Sequence, residues 1–310
     1  MTLYNLVIFH QTRWQHISDF LTIRNMMAGL APDIAVHVIS EGSAVPADFW
    51  VRVAKLPTLI FSPLPVHIDA TVRGTRIISA QMTKLEEAKL FADAGFPTPR
   101  TTGIVPETRL NEGQWGPFVV VKPNRGGQGQ GIRLMRTRDV RWVDPNSWPK
   151  DDPRHGQNLL AQQYVDTGPY TRSYRVFTVL GHAVYSRSST ATQAVPIPDP
   201  AGSEPVDLDI TSNGVERTVE LANDREIVAL AESIHRKFPL IPTMGLDIIR
   251  HHATGQLFVL ELNSSGFTWH LSSNYGLAYQ RKFALDYYGQ FDALRVIAKA
   301  FIDTTRRMAI

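Results

Sequence analysis

Apolar residues come in short, separated runs through the first 80 positions. Leu3–Phe9 is nearly continuous and carries β-branched members, Asp33–Ile39 alternates, and Pro57–Phe61 and Arg76–Ile78 supply two further strand candidates. Between the first two, Ile17–Leu30 repeats its apolar residues at helical spacing, with Asp19 near its start and Gly29 near its end. This β-α-β order predicts a small parallel sheet with helices on its faces.

The pattern then changes. Thr83 is a helix N-cap with Glu86 three residues on, a capping-box arrangement, and Leu85, Ala88, Leu90, Phe91 and Ala94 follow before Gly95, Pro97 and Pro99 end the helix. Closely spaced strand-like runs come next, at Pro117–Lys122, Ile132–Met135, Asn158–Val165, Ser173–Leu180 and Ala183–Ser188, and their spacing predicts antiparallel pairing. Residues 191–216 carry four prolines and little periodicity, which predicts a long loop. Asn223–Phe238 is a helix with Ile227, Leu230, Ala231, Ile234 and Phe238 on one face. Met244–Arg250 and Leu257–Leu262 are strands around a His-Ala-Thr-Gly turn, and Phe291–Arg307 is a final amphipathic helix.

Composition narrows the chemistry. The 310 residues include no cysteine, which removes disulfides, thiolate metal sites and Cys nucleophiles. No apolar run approaches the roughly 20 residues of a membrane span. The opening residues show no basic segment leading into an apolar stretch with a small-residue cleavage site, so a cytoplasmic protein is expected. A net charge of +3 with basic and acidic residues intermingled argues against a nucleic-acid surface. Of the 32 basic residues only 8 are Lys, so a lysine closing a strand is informative.

Lys122 is such a residue. The stretch Val119-Val120-Val121-Lys122-Pro123-Asn124-Arg125-Gly126-Gly127-Gln128-Gly129-Gln130-Gly131-Ile132 is a strand, a lysine and four glycines within six residues. Such glycines let successive backbone N–H groups approach an anion, and the lysine adds a point charge. Walker A and Rossmann spacings are both absent, and the loop leads into another strand, as a hinged flap over a nucleotide would; a plain mobile hairpin gives the same pattern. Nearer the C-terminus, Glu261 and Asn263 project from one face of a strand, and Asp247 reaches them if the two last strands pair. Two carboxylates and an amide oxygen form a hard-oxygen set suited to Mg²⁺ with phosphates, although a solvated hairpin edge also alternates this way.

In this order (a lysine before a helix, strand-Lys-Pro with a Gly-rich flap, a Gln-Gln-Tyr-Val strand end, then Asp and Glu-x-Asn) the chain resembles the ATP-grasp superfamily, and within it RimK-type glutamate ligases and glutathione synthetase-like carboxylate–amine ligases. The resemblance covers about residues 80–270. It implies an α/β (α+β overall) protein: an N-terminal pre-ATP-grasp domain over 1–81, a lobe with the flap over 82–165, and a C-terminal lobe with the metal site over 166–310, both lobes built on antiparallel sheets. By resemblance, Lys84 and Lys122 hold nucleotide phosphates, Gly126, Gly127, Gly129 and Gly131 form the flap, and Gln162, Gln163, Tyr164 and Val165 form the linker whose backbone pairs with adenine. Gln163 stands where relatives usually carry Glu. Ser173 replaces the ribose-binding Asp two residues before Arg175, with Asp166 as a substitute. Arg175 and Arg187 match arginines facing an acyl phosphate, and Asp247, Glu261 and Asn263 match metal ligands.

The activity so implied is ATP-dependent joining of a carboxylate to an amine (amino acid, peptide or protein tail) through an acyl phosphate. ATP and Mg²⁺ would be the cofactors, with two ions and Mn²⁺ as a substitute, and no nucleic-acid or membrane partner. Relatives form dimers or tetramers, which leaves a homo-oligomer open. A kinase on the same scaffold and a non-catalytic nucleotide-binding module are the alternatives. Among weaker features, His10-Gln11-Thr12 ends the first strand, Trp269 and His270 follow the metal strand within reach of an acceptor or merely packed, His251-His252 sits in a turn, and Arg306-Arg307 complements a helix dipole.

Overall fold

In the computed structural model, which describes residues 1–310 other than 47, 70, 128, 211–215 and 265, the short apolar runs near the start become the strands of a fully parallel sheet. β1 (Tyr4–His10) leads through α1 (Ile17–Leu30) to β2 (Ile34–Ser40), then through the short α2 (Phe49–Val53) to β3 (Thr58–Ser62) and β4 (Thr75–Ile78), in the order β2-β1-β3-β4. Strand alternation sorts the two faces: Val7 and Ile60 pack with Phe49 and Val53, whereas Leu6, Ile8 and Phe61 face α1.

The next elements are α3 (Lys84–Asp93), β5 (Thr101–Gly103), α4 (Glu112–Trp115), β6 (Phe118–Pro123), β7 (Arg133–Arg136) and β8 (Leu159–Gln163). After them come β9 (Arg172–Val179), β10 (His182–Ala191), β11 (Asp207–Leu208), β12 (Arg217–Leu221), α5 (Arg225–Lys237), β13 (Thr243–Arg250), β14 (Leu257–Asn263), α6 (Asn274–Phe283) and α7 (Ala293–Met308). The strands form two antiparallel five-stranded sheets, β11-β7-β6-β8-β5 and β12-β10-β9-β13-β14. The architecture is therefore the mixed α/β one expected, with antiparallel sheets after the parallel one.

Several elements depart from the expected pattern for identifiable reasons. The segment 191–216 is not all loop: Asp207 and Leu208 pair with Met135 and Leu134, adding an edge strand to the flap sheet, and Val206 buries beside them; residues 211–215 of this segment lie outside the described residues. β12 has a single buried apolar residue, Val219, and β5 is three residues long, so neither carries a readable period. The buried positions of α6 are Gly276 and Gln280, and a side-chain carbon at Gly276 would meet the His270 carbonyl oxygen at 2.2 Å. Backbone approach, not an apolar stripe, seats that helix. Arg306 and Arg307 fall in the last turn of α7 as expected, and the Arg306 guanidinium also donates to both carboxylate oxygens of Asp33, at 3.0 and 2.7 Å.

α7 packs on α1, on β1 and on β10, so one core runs from the parallel sheet through Phe301 and Ile297 to Phe177, Tyr185 and Trp269 of the last sheet and its following segment. Asp19 is fixed within this junction. It is 3% exposed, and its carboxylate accepts from Trp269 Nε1 (2.8 Å), Ser272 Oγ (2.6 Å) and the Tyr288 hydroxyl (2.8 Å). Removing the acceptor would strand these buried donors. Asp19→Ala should lower unfolding free energy by about 3 kcal/mol in urea denaturation, with Asp19→Asn recovering part of it.

Candidate active site

Antiparallel register places four charged side chains in one line across the last sheet. Arg187 of β10 is opposite Arg175 of β9, Arg175 is opposite Asp247 of β13, and Asp247 is opposite Glu261 of β14. Opposed residues share a face, so the row reads plus, plus, minus, minus. Arg175 donates through Nε to Asp247 Oδ1 at 2.7 Å, and its Nη2 donates to Oδ2 in a two-pronged pair. Glu261 Oε2 accepts from Lys84 Nζ at 2.8 Å, which brings the start of α3 onto the end of the row. Asn263, two residues beyond Glu261 on the same face, donates Nδ2 to the Gly245 carbonyl at 3.2 Å, which leaves its Oδ1 as an acceptor.

The second lysine arrives from the flap sheet. Lys122 is 4% exposed, and its Nζ donates to Gln162 Oε1 at 3.0 Å; Gln162 in turn donates to Thr101 Oγ1 at 3.1 Å. Burial pulls the Lys122 ammonium down, with Glu261 opposing and Lys84 reinforcing the fall. Burial acts on Lys84 in the same sense, but Glu261 prevails and its ammonium is held above the ordinary range. Glu261 is the counterpart: desolvation pushes it up, and Lys84 and Lys122 together bring it down to about 2. Asp247 lies above the ordinary carboxylate range, because desolvation and neighbouring Glu261 outweigh Arg175.

Two residues that the sequence reading left out hold this arrangement. Asn124 begins the flap and caps α3: its carbonyl accepts from Lys84 N at 3.1 Å and its Oδ1 from Leu85 N at 3.0 Å. Glu87 lies one helical turn after Lys84 and is 5% exposed; its Oε2 accepts from the Leu262 N–H at 3.1 Å, between Glu261 and Asn263. Burial pushes Glu87 up to about 8. The helical i, i+3 spacing of Lys84 and Glu87 was the available signal.

Gly126, Gly129 and Gly131 all have positive φ, 113°, 72° and 69°. At Gly131 a side-chain carbon would also stand 3.0 Å from Pro123 Cγ and 3.2 Å from Pro153 Cγ, so both conformation and space require glycine. At Gly127 nothing stands within 4 Å, and Gln128 lies outside the described residues. At the other end of β8, Gln163 N donates to the Arg100 carbonyl at 2.8 Å, and Tyr164 and Val165 continue into the connection to β9. Asp166 Oδ1 accepts from Gly168 N at 2.8 Å, and Ser173 is opposite Ser189 on β10. Thus Lys84, Lys122, Arg175, Arg187, Asp247, Glu261 and Asn263 converge, while Gln163, Tyr164 and Val165 lie along the strand that leaves the Lys122 side.

The weaker candidates resolve differently. Trp269 is fully buried against Phe20 and Phe177, so it packs and does not touch an acceptor. His270 is 5% exposed, stacked on Tyr185 with the Tyr275 ring tilted against it. His10 is buried, sharing a 2.8 Å hydrogen bond with Ser40 Oγ.

The chain matches the ATP-grasp domain over residues 82–265, and it belongs to that family. Among solved structures, it superposes on the ATP-grasp ligase PsnB, in complex with a phosphomimetic variant of a minimal precursor, Mg and ADP, with a TM-score of 0.53 at 13% identity, covering 98% of this chain and 100% of that one. It is also similar to D-cycloserine synthetase DcsG, with a TM-score of 0.47 at 18% identity over 97% of this chain and 99% of that one. For D-alanine–D-alanine ligase from Bacillus anthracis the TM-score is 0.44 at 15% identity, over 99% of each chain. The likeness to PsnB is one of fold. No curated protein sequence matches the chain. Among the described residues no helix is long and apolar enough to cross a membrane.

Burial, reinforced by Arg175 and Arg187, brings His270 down to about 3. The unfolded chain takes up a proton near the ordinary histidine value of 6.5 while the folded one resists to about 3, so the stabilisation is complete above that upper value and is lost as pH falls between the two. His270→Gln should therefore lose less stability than the parent when urea midpoints at about pH 7 and about pH 5 are compared.

Proposed function

We propose that the chain is an ATP-dependent ligase that joins a carboxylate to an amine through an acyl phosphate, releasing ADP and phosphate. The observation that carries this reading is the charge row Arg187–Arg175–Asp247–Glu261 with Lys84 and Lys122 closing on its acidic end. In this reading Asp247, Glu261 and Asn263, brought side by side by the register of β13 and β14, are the donor set for a metal. Each carboxylate oxygen engaged by Arg175 or Lys84 retains a further lone pair, and an all-oxygen set of this kind suits Mg²⁺, or Mn²⁺ in its place. Held there, one or two such ions would offset phosphate charge.

In this reading the residues divide the work by position. Lys84 and Lys122 hold the phosphates, the N–H groups around Gly126–Gly131 cover them, and the Gln163–Val165 backbone faces the adenine, with Gln162 fixing Lys122 from behind. A donor carboxylate oxygen bonds to the γ-phosphorus as the bond to ADP breaks. The amine nitrogen then attacks the acyl carbon, phosphate leaves with the former carboxylate oxygen, and the amine proton passes to solvent. Arg175 spans both steps, because its guanidinium can exchange Asp247 for oxygens on phosphorus or on the tetrahedral carbon. The three units 1–81, 82–165 and 166–310, a RimK-like substrate pairing, an amino acid or peptide acceptor and a cytoplasmic setting belong to the same proposal.

Lys122→Ala and Glu261→Ala should each reduce MgATP-dependent ADP release by at least about a thousandfold, with far-UV circular dichroism unchanged. The assay pools carboxylates and amines and identifies amide products by mass. Full activity in either variant defeats the site assignment, and a stable phosphorylated product without an amide defeats the ligase reading in favour of a kinase.

A further inference from the structure

Beyond Arg175, the row continues into a region with positive charge and no matching carboxylate. Arg187 forms no ion pair among the described residues; its Nη1 donates to the Tyr279 hydroxyl at 2.9 Å, and its guanidinium carbon stands 4.7 Å from the centre of that ring. Arg217, on the neighbouring strand β12, is opposite Ala191, four residues beyond Arg187 on β10, and so lies on the same face. It too forms no ion pair among the described residues. Its Nη groups reach only neutral acceptors, the carbonyls of Thr171 and Ser189 at 3.3 and 3.1 Å and Thr171 Oγ1 at 2.9 Å. The Nε of both arginines is buried without an acceptor.

Tyr279 touches Arg187 and is within electrostatic reach of Arg217. Its hydroxyl feels the charges of Arg187, Arg175 and Arg217, and α6, which carries it, lies against β12. Burial pulls the Arg217 guanidinium below its ordinary range, and the only influence opposing that fall is Tyr279. Two half-buried guanidiniums with orphaned N–H groups are costly to maintain without an anion between them. Arg175 has Asp247 as its counter-charge, whereas Arg187 and Arg217 have no carboxylate among the described residues and stand one and two strands farther from the metal-ligand strand β14.

We infer that Arg187, Arg217 and Tyr279 form a subsite for a second, non-reacting carboxylate of the donor, so that the substrate class is a diacid, free or as part of a peptide. This inference rests on the ligase reading above and adds the donor's chemistry to it. The reacting carboxylate would lie at Arg175, and the second one would supply acceptors to the two free Nε–H groups. An acid with a neutral amide at the second position leaves both guanidiniums without a counter-charge.

The test compares matched pairs that differ only in the second charge: glutarate with its monoamide, and N-acetylglutamate with N-acetylglutamine. Binding is measured by calorimetry to the full chain loaded with Mg²⁺ and a non-hydrolysable ATP analogue, and turnover by ADP release with an amine pool. The diacids should bind roughly tenfold more tightly than their partners. Arg217→Gln should abolish that preference and raise the donor KM without changing the KM for ATP, whereas Tyr279→Phe, which keeps the Thr171 and Ser189 contacts of Arg217, should reduce the preference partially. Equal binding of both members of each pair, or an effect of Arg217→Gln on ATP alone, overturns the subsite. ADP release from monoacids without discrimination removes the subsite and keeps the ligase; preferential diacid binding with no ADP release under any pairing does the reverse.

Discussion

Glu261 is the charge on which the site closes. It sits where desolvation disfavours an anion, and it stays ionised because one lysine reaches it from the start of α3 and another acts on it from the flap sheet. Neither lysine is comfortable alone: burial lowers both, and Glu261 is the largest influence that opposes that fall in each. A buried charge is tolerable only with partners in good geometry, so one glutamate ties β14, α3 and β6 into a single electrostatic unit. Asp247 and Arg175 repeat the arrangement one strand over, at a register fixed by the sheet ladder.

α3 carries much of the positional burden. Its first residue is Lys84, its fourth is Glu87, and its N-terminus is capped from outside by Asn124 at the root of the flap. A shift of the flap root therefore acts on the same helix end that places Lys84, and a shift of the helix acts on the backbone between Glu261 and Asn263. These connections run through hydrogen bonds of ordinary length, not through strain.

Much of this was legible in the chain. Period-two spacing announced Glu261 and Asn263 as neighbours on a face, the capping box placed Lys84 at a helix start, and the lysine closing Pro117–Lys122 marked the end of β6 that delivers Lys122 beside Glu261. Less was legible wherever the decisive event is a long-range one. Asp19 reads as an acidic residue near a helix start, and only tertiary packing turns it into the acceptor for two buried donors and a half-buried one. Trp269 and His270 read as equally available, but the packing against Phe20, Phe177 and Tyr185 hides them. α6 has no inward apolar stripe to read, because a glycine and a glutamine make its buried contacts. Arg217 lies on a strand too weakly patterned to be seen, so its place beside Arg187 emerged only from the register of β10 and β12.

The reach of α7 bears on how the chain acquires its shape. The parallel sheet is made from the earliest part of the sequence, yet the face carrying Leu6, Ile8 and Phe61 is finished by Ile297 and Phe301, and Thr58 N donates to the carbonyl of Ile310 at 2.9 Å. Such a sheet gains its covering only after nearly all of the intervening sequence has been synthesised. Until then that face has only α1 against it, and the rest of its closure is non-local. Truncation before α7 would therefore leave exposed the part of this face that Ile297 and Phe301 cover.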